Sequence, residues 1–261
     1  MIMPFKDLIV EREGRRLLVK INRPKVLNAL RGETFLELEE AARMLEDSEA
    51  GVMIITGAGG KAFSAGGDIN ALALMGPGDA ARFTAMTHRV LDRLEGVSKP
   101  VIAAVNGYAL GAGCDLVAAC DLAVASERAR FGEPMAGLGI TTPFGGSQRL
   151  PRIVGSKRAK ELFFTGDIID AVEAHRIGLV NTVVEHEELL PEARRLADRV
   201  LERAPLAVGC FKRLINHSVY GGLAEGDELE QEMFARCFET MDKAEGVAAF
   251  LEKRKPVFKG R

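Results

Sequence analysis

Two short runs of branched and small apolar residues, Val52-Met53-Ile54-Ile55-Thr56 and Val101-Ile102-Ala103-Ala104-Val105, each end at glycine, in Gly57-Ala58-Gly59-Gly60 and in Asn106-Gly107. No other feature constrains the chain as much. Each run is apolar at consecutive positions, strand-length and closed by turn residues, so each reads as a buried parallel strand. Between them, Phe83, Met86, Val90 and Leu94 recur at helical spacing over residues 80–94, and Gly96 and Pro100 stop the helix. Strand, crossover helix and strand form a βαβ unit.

The same reading extends in both directions. Residues 8–11 and 17–21 flank Gly14 and predict a hairpin. Phe35, Leu38, Ala42 and Leu45 predict an amphipathic helix over residues 34–47. Residues 121–126 and 178–184 predict two more strands, separated by a helical stretch at 157–164. Beyond residue 187 strand signals vanish, and helices are expected at about 189–203, 205–220, 223–240 and 243–252. The chain therefore divides into an α/β core, residues 1–188, and a C-terminal helical region, residues 189–261.

At 261 residues, with 47% hydrophobic and 28% charged side chains, the chain has the balance of a globular protein with a substantial core. A net charge of −2 with no basic block argues against a nucleic-acid partner. No apolar run approaches the ~20 residues that cross a bilayer, so a cytoplasmic protein without a membrane partner is expected. The cysteines (Cys114, Cys120, Cys210, Cys237) and histidines (His88, His175, His186, His217) stand apart without ligand spacing, which points to reduced thiols and no metal site.

Chemistry is concentrated in two glycine-rich turns, Phe63-Ser64-Ala65-Gly66-Gly67-Asp68-Ile69 and Gly107-Tyr108-Ala109-Leu110-Gly111-Ala112-Gly113-Cys114-Asp115. Small residues at strand ends let a ligand approach the main chain, and free amides there can point at one anionic oxygen. A dinucleotide fingerprint is not present, because Gly57-Ala58-Gly59-Gly60 lacks the third glycine at spacing and no helix opens after it.

These segments resemble the crotonase family, the enoyl-CoA hydratase and isomerase superfamily, over nearly the whole chain. Residues 21–30 (Ile-Asn-Arg-Pro-Lys-Val-Leu-Asn-Ala-Leu) are similar to its CoA-binding segment, and residues 62–69 and 99–120 to its two oxyanion segments. Gly145-Gly146-Ser147-Gln148-Arg149-Leu150 and residues 250–255 also match. The resemblance implies a ClpP/crotonase spiral of ββα units with a C-terminal helical trimerisation region. It implies acyl-CoA as substrate, no cofactor, and a homotrimer or a hexamer formed as a dimer of trimers.

Carried over by position, the oxyanion amides fall on Gly67 and Ala112, and Asp115 stands where hydratases carry a first catalytic glutamate. CoA contacts fall on main chain around Lys25, Val26 and Asn28, with Phe234, Phe250 and Lys253 at the nucleotide end. Ala65, Asp68, Ile69 and Asn70 line the pantetheine and acyl path. The position of the second glutamate holds Met135, a thioether that cannot move a proton. Isomerases of the family place an acid eight positions further on, where this chain has Pro143.

Hydration of a 2-enoyl-CoA through an enolate is the leading expectation. A Δ-isomerase using Asp115 alone is the alternative, and a non-catalytic acyl-CoA- or RNA-binding scaffold a weaker one. Asp115 at a helix start can also serve as a cap, but set inside the other matches it reads as catalytic. If residues 132–135 are extended, the tip of Glu133 lies about 6.5 Å from that of Met135, which places Glu133 in solvent. Tyr108 reads as core, and Thr141 and Thr142 as loop hydrogen-bonding residues.

Overall fold

The computed structural model describes residues 5–261. Among the described residues ten strands form two sheets. The larger contains β1 (Leu8–Glu13), β2 (Arg16–Ile21), β3 (Val52–Gly57), β5 (Val101–Val105), β7 (Leu122–Ser126) and β10 (Thr182–Val184), adjacent in that order. The smaller contains β4 (Ala62–Ser64), β6 (Tyr108–Leu110), β8 (Arg130–Gly132) and β9 (Ile168–Asp170). Only β1 with β2 and β8 with β9 run antiparallel.

The chain therefore climbs in a spiral. β3, β5 and β7 each lie in the large sheet and pass directly into β4, β6 and β8 of the small one. Helices α1 (Gly32–Asp47), α3 (Pro77–Gly96) and α4 (Ala112–Ala118) connect successive turns, with the single-turn α2 (Ile69–Leu72) after β4. This is the ββα spiral that the family resemblance implies, and the glycine-closed strands are its buried parallel strands. Helices α5 (Gly146–Val154), α6 (Ser156–Thr165) and α7 (Ala171–Arg176) lead to β10. The C-terminal run comprises α8 (Leu189–Leu201), α9 (Pro205–Tyr220), α10 (Leu223–Phe238) and α11 (Met241–Leu251).

The unbroken apolar runs follow from burial on both sides of the large sheet. Met53, Ile55, Val101, Ala103 and Val105 face a core shared with Phe35, Leu38, Val90 and Leu116. Val52, Ile54, Ile102, Ala104 and Val124 face the other way, against Leu189, Ala193 and Ala197 of α8. The sequence expectation of a strand over 178–184 shortens to Thr182–Val184, because Leu179 and Val180 are buried in the turn after α7 instead of entering the ladder. Tyr108, expected in the core, is instead 42% exposed, at the first position of the interior strand β6. Among the described residues no helix is long and apolar enough to cross a membrane.

Two buried asparagines hold the strand ends together. Asn106 accepts from the Gly57 amide at 3.1 Å and donates to the Gly59 carbonyl at 2.8 Å. Asn28 donates to the carbonyls of Ala58 and Ala62 at 2.9 and 2.8 Å. Between the two turns the approach is main chain on main chain: a Cβ on Gly113 at the start of α4 would overlap the carbonyl oxygen of Ser64 at the end of β4. Gly113→Ala is therefore expected to cost more than about 2 kcal/mol, as overpacking into rigid backbone does. Gly137→Ala, whose Cβ would meet open space, is the matched control. Urea unfolding of the two variants checks the difference, and equal midpoints would refute the close approach.

Candidate active site

The strand-end amides are placed by ordinary ladder geometry. Leu30 forms a parallel bridge with Gly67: the Leu30 amide donates to the Gly66 carbonyl, and the Asp68 amide donates to the Leu30 carbonyl, both at 2.8 Å. Because both bonds fall on the flanking residues, the N–H of Gly67 itself points to the opposite side. Ala112 is the first residue of α4, so its N–H has no acceptor within the helix. Gly111 before it takes φ +47°, a backbone region that favours glycine, and donates to the Gly132 carbonyl at 2.9 Å. Among the described residues neither the Gly67 nor the Ala112 amide has an acceptor. The two turns abut through β4–β6 pairing and through Gly113 on Ser64.

Behind Ala112, in the same helix, the side chain of Asp115 is 1% exposed. It caps no amide. Its Oδ2 accepts a hydrogen bond from the Thr142 hydroxyl, and its Oδ1 has no partner. Gly146 packs so closely on this carboxyl that a Cβ there would overlap it. Thr142 thus does more than the loop bonding expected of it. Its loop is anchored by Phe144, stacked on Phe35 at 5.2 Å and edge-on to Phe83, and by Thr87 donating to the Pro143 carbonyl at 2.6 Å.

The solvated position expected for Glu133 is overturned. Residues Pro134–Leu138 form a 3-10 turn, not an extended segment, and Glu133 just before it turns inward with 0% exposure. Its carboxyl faces the side chains of Asp115 and Cys114. Met135 is buried too, with its sulfur 3.2 Å from where a Cβ on Gly111 would stand. Burial pushes Asp115 up to about 6, against the opposing pull of the Thr142 hydrogen bond, the facing Glu133 carboxyl and the charge of Arg149. Burial, then the neighbouring Asp115, pushes Glu133 well above the usual carboxylate range.

The segment expected to bind CoA runs beside the first turn. Lys25 and Val26 are exposed, and the Ala65 amide donates to the Leu27 carbonyl at 2.9 Å, tying the segment to the first glycine-rich turn. Asn28 is committed to the fold: its side chain bridges the turn after β3, and its amide donates to Arg23. Asp68 caps α2 at the Asn70 amide and pairs with Arg23 at 2.9 Å, while Ile69 and Asn70 stand exposed. Phe234 and Phe250 lie exposed on α10 and α11, helices whose main packing is against α9 and each other, and Lys253 follows them. The chain does not bring these three to Asp115.

A cleft of about 540 Å³ lies elsewhere, between α9 and the far ends of α4 and α5, where Asp121, Arg149, Arg152, Lys212 and Tyr220 line it. Its cations are largely engaged, Lys212 with Asp121 at 2.7 Å and Arg149 with Asp92 and Glu95 at 2.6 and 2.9 Å. The free amides and the buried carboxyl pair, not this cleft, hold the unspent polar capacity of the molecule.

A ββα spiral with glycine-rich strand ends, unpaired amides and an internal acid defines a class of enzymes built to hold charge on an acyl oxygen. Residues 11–261 match the model of the enoyl-CoA hydratase/isomerase family, and the chain belongs to that family. It is 46% identical over 257 residues to a crotonyl-CoA hydratase of Syntrophomonas wolfei, covering 98% of this chain and 99% of that one. A short-chain-enoyl-CoA hydratase of Clostridium acetobutylicum is 46% identical over 97% of both chains. The crystal structure of an enoyl-CoA hydratase from Bacillus anthracis superposes with a TM-score of 0.94 at 35% identity, covering 98% of this chain and all of that one.

The raised Asp115 sets a stability test. In the fold its uncharged form is favoured, so ionisation destabilises the protein as pH rises from about 4 to about 6, and the cost is full above that. Asp115→Asn removes it. The variant is expected to be more stable than the parent at pH 7–8, by on the order of 1–3 kcal/mol, with the gap closing below pH 4. Thermal unfolding across pH checks this, and a pH-independent gap would refute it.

Proposed function

We propose that this chain is an enoyl-CoA hydratase acting on short 2-enoyl-CoA thioesters, with Gly67 and Ala112 as oxyanion donors and Asp115 as the acid/base. The supporting observation is the pair of unpartnered amides on adjoining turns, with the buried carboxyl of Asp115 three residues after Ala112. In this reading the thioester oxygen accepts from both amides. Asp115 takes a proton from water as the water oxygen bonds to C3, and the C2=C3 electrons move onto the thioester oxygen as an enolate. As the enolate collapses, Asp115 returns the proton to C2, so one water has been added and no proton is left over. An acid whose pKa lies near 6 suits both halves, since it is charged at neutral pH yet basic enough to accept a proton. Losing one oxyanion donor would cost roughly 2.7–4 kcal/mol of barrier lowering.

Met135, standing where the resemblance puts the second catalytic glutamate, favours a second reading. A one-base shift of a double bond needs no further carboxyl, which is the basis for a Δ-isomerase. Self-association is the remainder of the proposal, and exposed apolar side chains support it. Phe211, Ile215, Phe234, Phe250 and Leu251 are exposed on α9–α11, with Phe250 at 83%, and their burial in a homotrimer or hexamer would deliver Phe234, Phe250 and Lys253 to a neighbour's CoA.

Crotonyl-CoA mixed with the protein is expected to lose its conjugated ultraviolet absorbance. Asp115→Asn should lower turnover by about 10²- to 10⁴-fold while acyl-CoA binding, measured by calorimetry, stays within about threefold. Gain of absorbance from a 3-enoyl-CoA, without hydration of crotonyl-CoA, would establish the isomerase instead.

A further inference from the structure

Three buried oxygens in this site have no hydrogen-bond donor: Oδ1 of Asp115 and both carboxyl oxygens of Glu133. The two side chains face each other with 1% and 0% exposure. An ionised carboxylate in such a place, without a donor or cation, costs far more than it gains, so the group keeps its proton. Two adjacent carboxylates cannot both ionise for the same reason.

The surroundings offer Glu133 no other relief. From α4 it meets Asp115 and Cys114, whose thiol is itself pushed up by burial and the two acids and so brings no charge. From α5, Arg149 acts on Asp115 but spends its guanidinium on Asp92 and Glu95. From the 139–145 loop, Thr142 donates to Asp115. A proton retained on Glu133 satisfies both partners at once, because it turns one acceptor into the donor that the facing carboxyl lacks.

We propose that Glu133 is a positioning residue of the reaction: it stays protonated and donates its O–H to the Asp115 carboxylate, so that the pair holds one proton and one negative charge. This rests on the reading of Asp115 as the acid/base. With Thr142 on the other side, the Glu133 donor keeps Asp115 ionised near neutral pH in a site otherwise too dry for a charge. When Asp115 takes the proton of water, that hydrogen bond weakens, which favours returning the proton to C2. Glu133 itself exchanges nothing with substrate, and its proton is still in place after each turnover. Asp115 can thereby act as base and then acid beside Met135, with no second carboxyl touching the substrate.

The test compares two substitutions across pH. Glu133→Gln keeps a donor, so kcat/KM is expected within about tenfold of the parent, with its acid limb unmoved. Glu133→Leu removes the donor, so the acid limb is expected to move up by about one pH unit or more, with activity at neutral pH falling at least about tenfold and recovering in base. A purely structural Glu133 would leave that limb where it is. An unmoved limb in Glu133→Leu, or a Gln variant as impaired as the Leu variant, overturns the proposal.

Infrared spectroscopy supplies a readout free of turnover: at pH 8 the parent should show the band of a protonated buried carboxyl, and Glu133→Gln should lose it. Absence of the band from the parent also overturns the proposal. If the parent hydrates no enoyl-CoA but shows the band, the hydratase reading fails while the shared proton stands.

Discussion

The contact of Gly113 on the carbonyl of Ser64 is the constraint from which the site follows. It brings the start of α4 against the end of β4 with no side chain between them, and it leaves Ala112 and Gly67 on neighbouring main-chain edges. Every larger feature serves this approach. The parallel pairing of β4 with β6 sets its height, and Asn28 and Asn106 lock the turns that lead into it. Each of these bonds satisfies a buried polar group that would otherwise cost about 1–3 kcal/mol.

Charge is distributed in the opposite sense from apolar packing. Most ion pairs of the molecule lie at the surface, where such pairs contribute roughly 0–1 kcal/mol. Two buried cations act differently. Lys212 of α9 donates to Asp121 at 2.7 Å and to the Lys99 carbonyl at 3.2 Å, pinning the C-terminal run to the ends of β5 and β7. Arg149 does the same between α5 and α3. Asp115 and Glu133 differ: they are buried without a committed cation, and three of their four carboxyl oxygens lack a donor, an arrangement that costs stability.

Much of the fold was legible because hydrophobic period and glycine punctuation are local properties. Val52–Gly57, Val101–Val105 and Pro205–Tyr220 lie within a residue of where the sequence puts them. The site was less legible. Asn28 and Asp68 resemble ligand-contact positions, yet their side chains bond to the chain's own turns, which no spacing reveals. Thr142 stands 27 residues from the carboxyl to which it donates, so its role depends on where a loop returns.

The alternation of apolar strands with helices, read from sequence alone, determined a parallel α/β core and the two glycine turns, because burial on both faces leaves a mark at every position of a strand. Tertiary structure alone decided the fate of Glu133. An extended segment would have sent it to solvent, but a 3-10 turn at Pro134 directs it inward to face Asp115. The direction of one side chain depends on a backbone bend and on partners distant in sequence, and neither is written in the order of the residues around it.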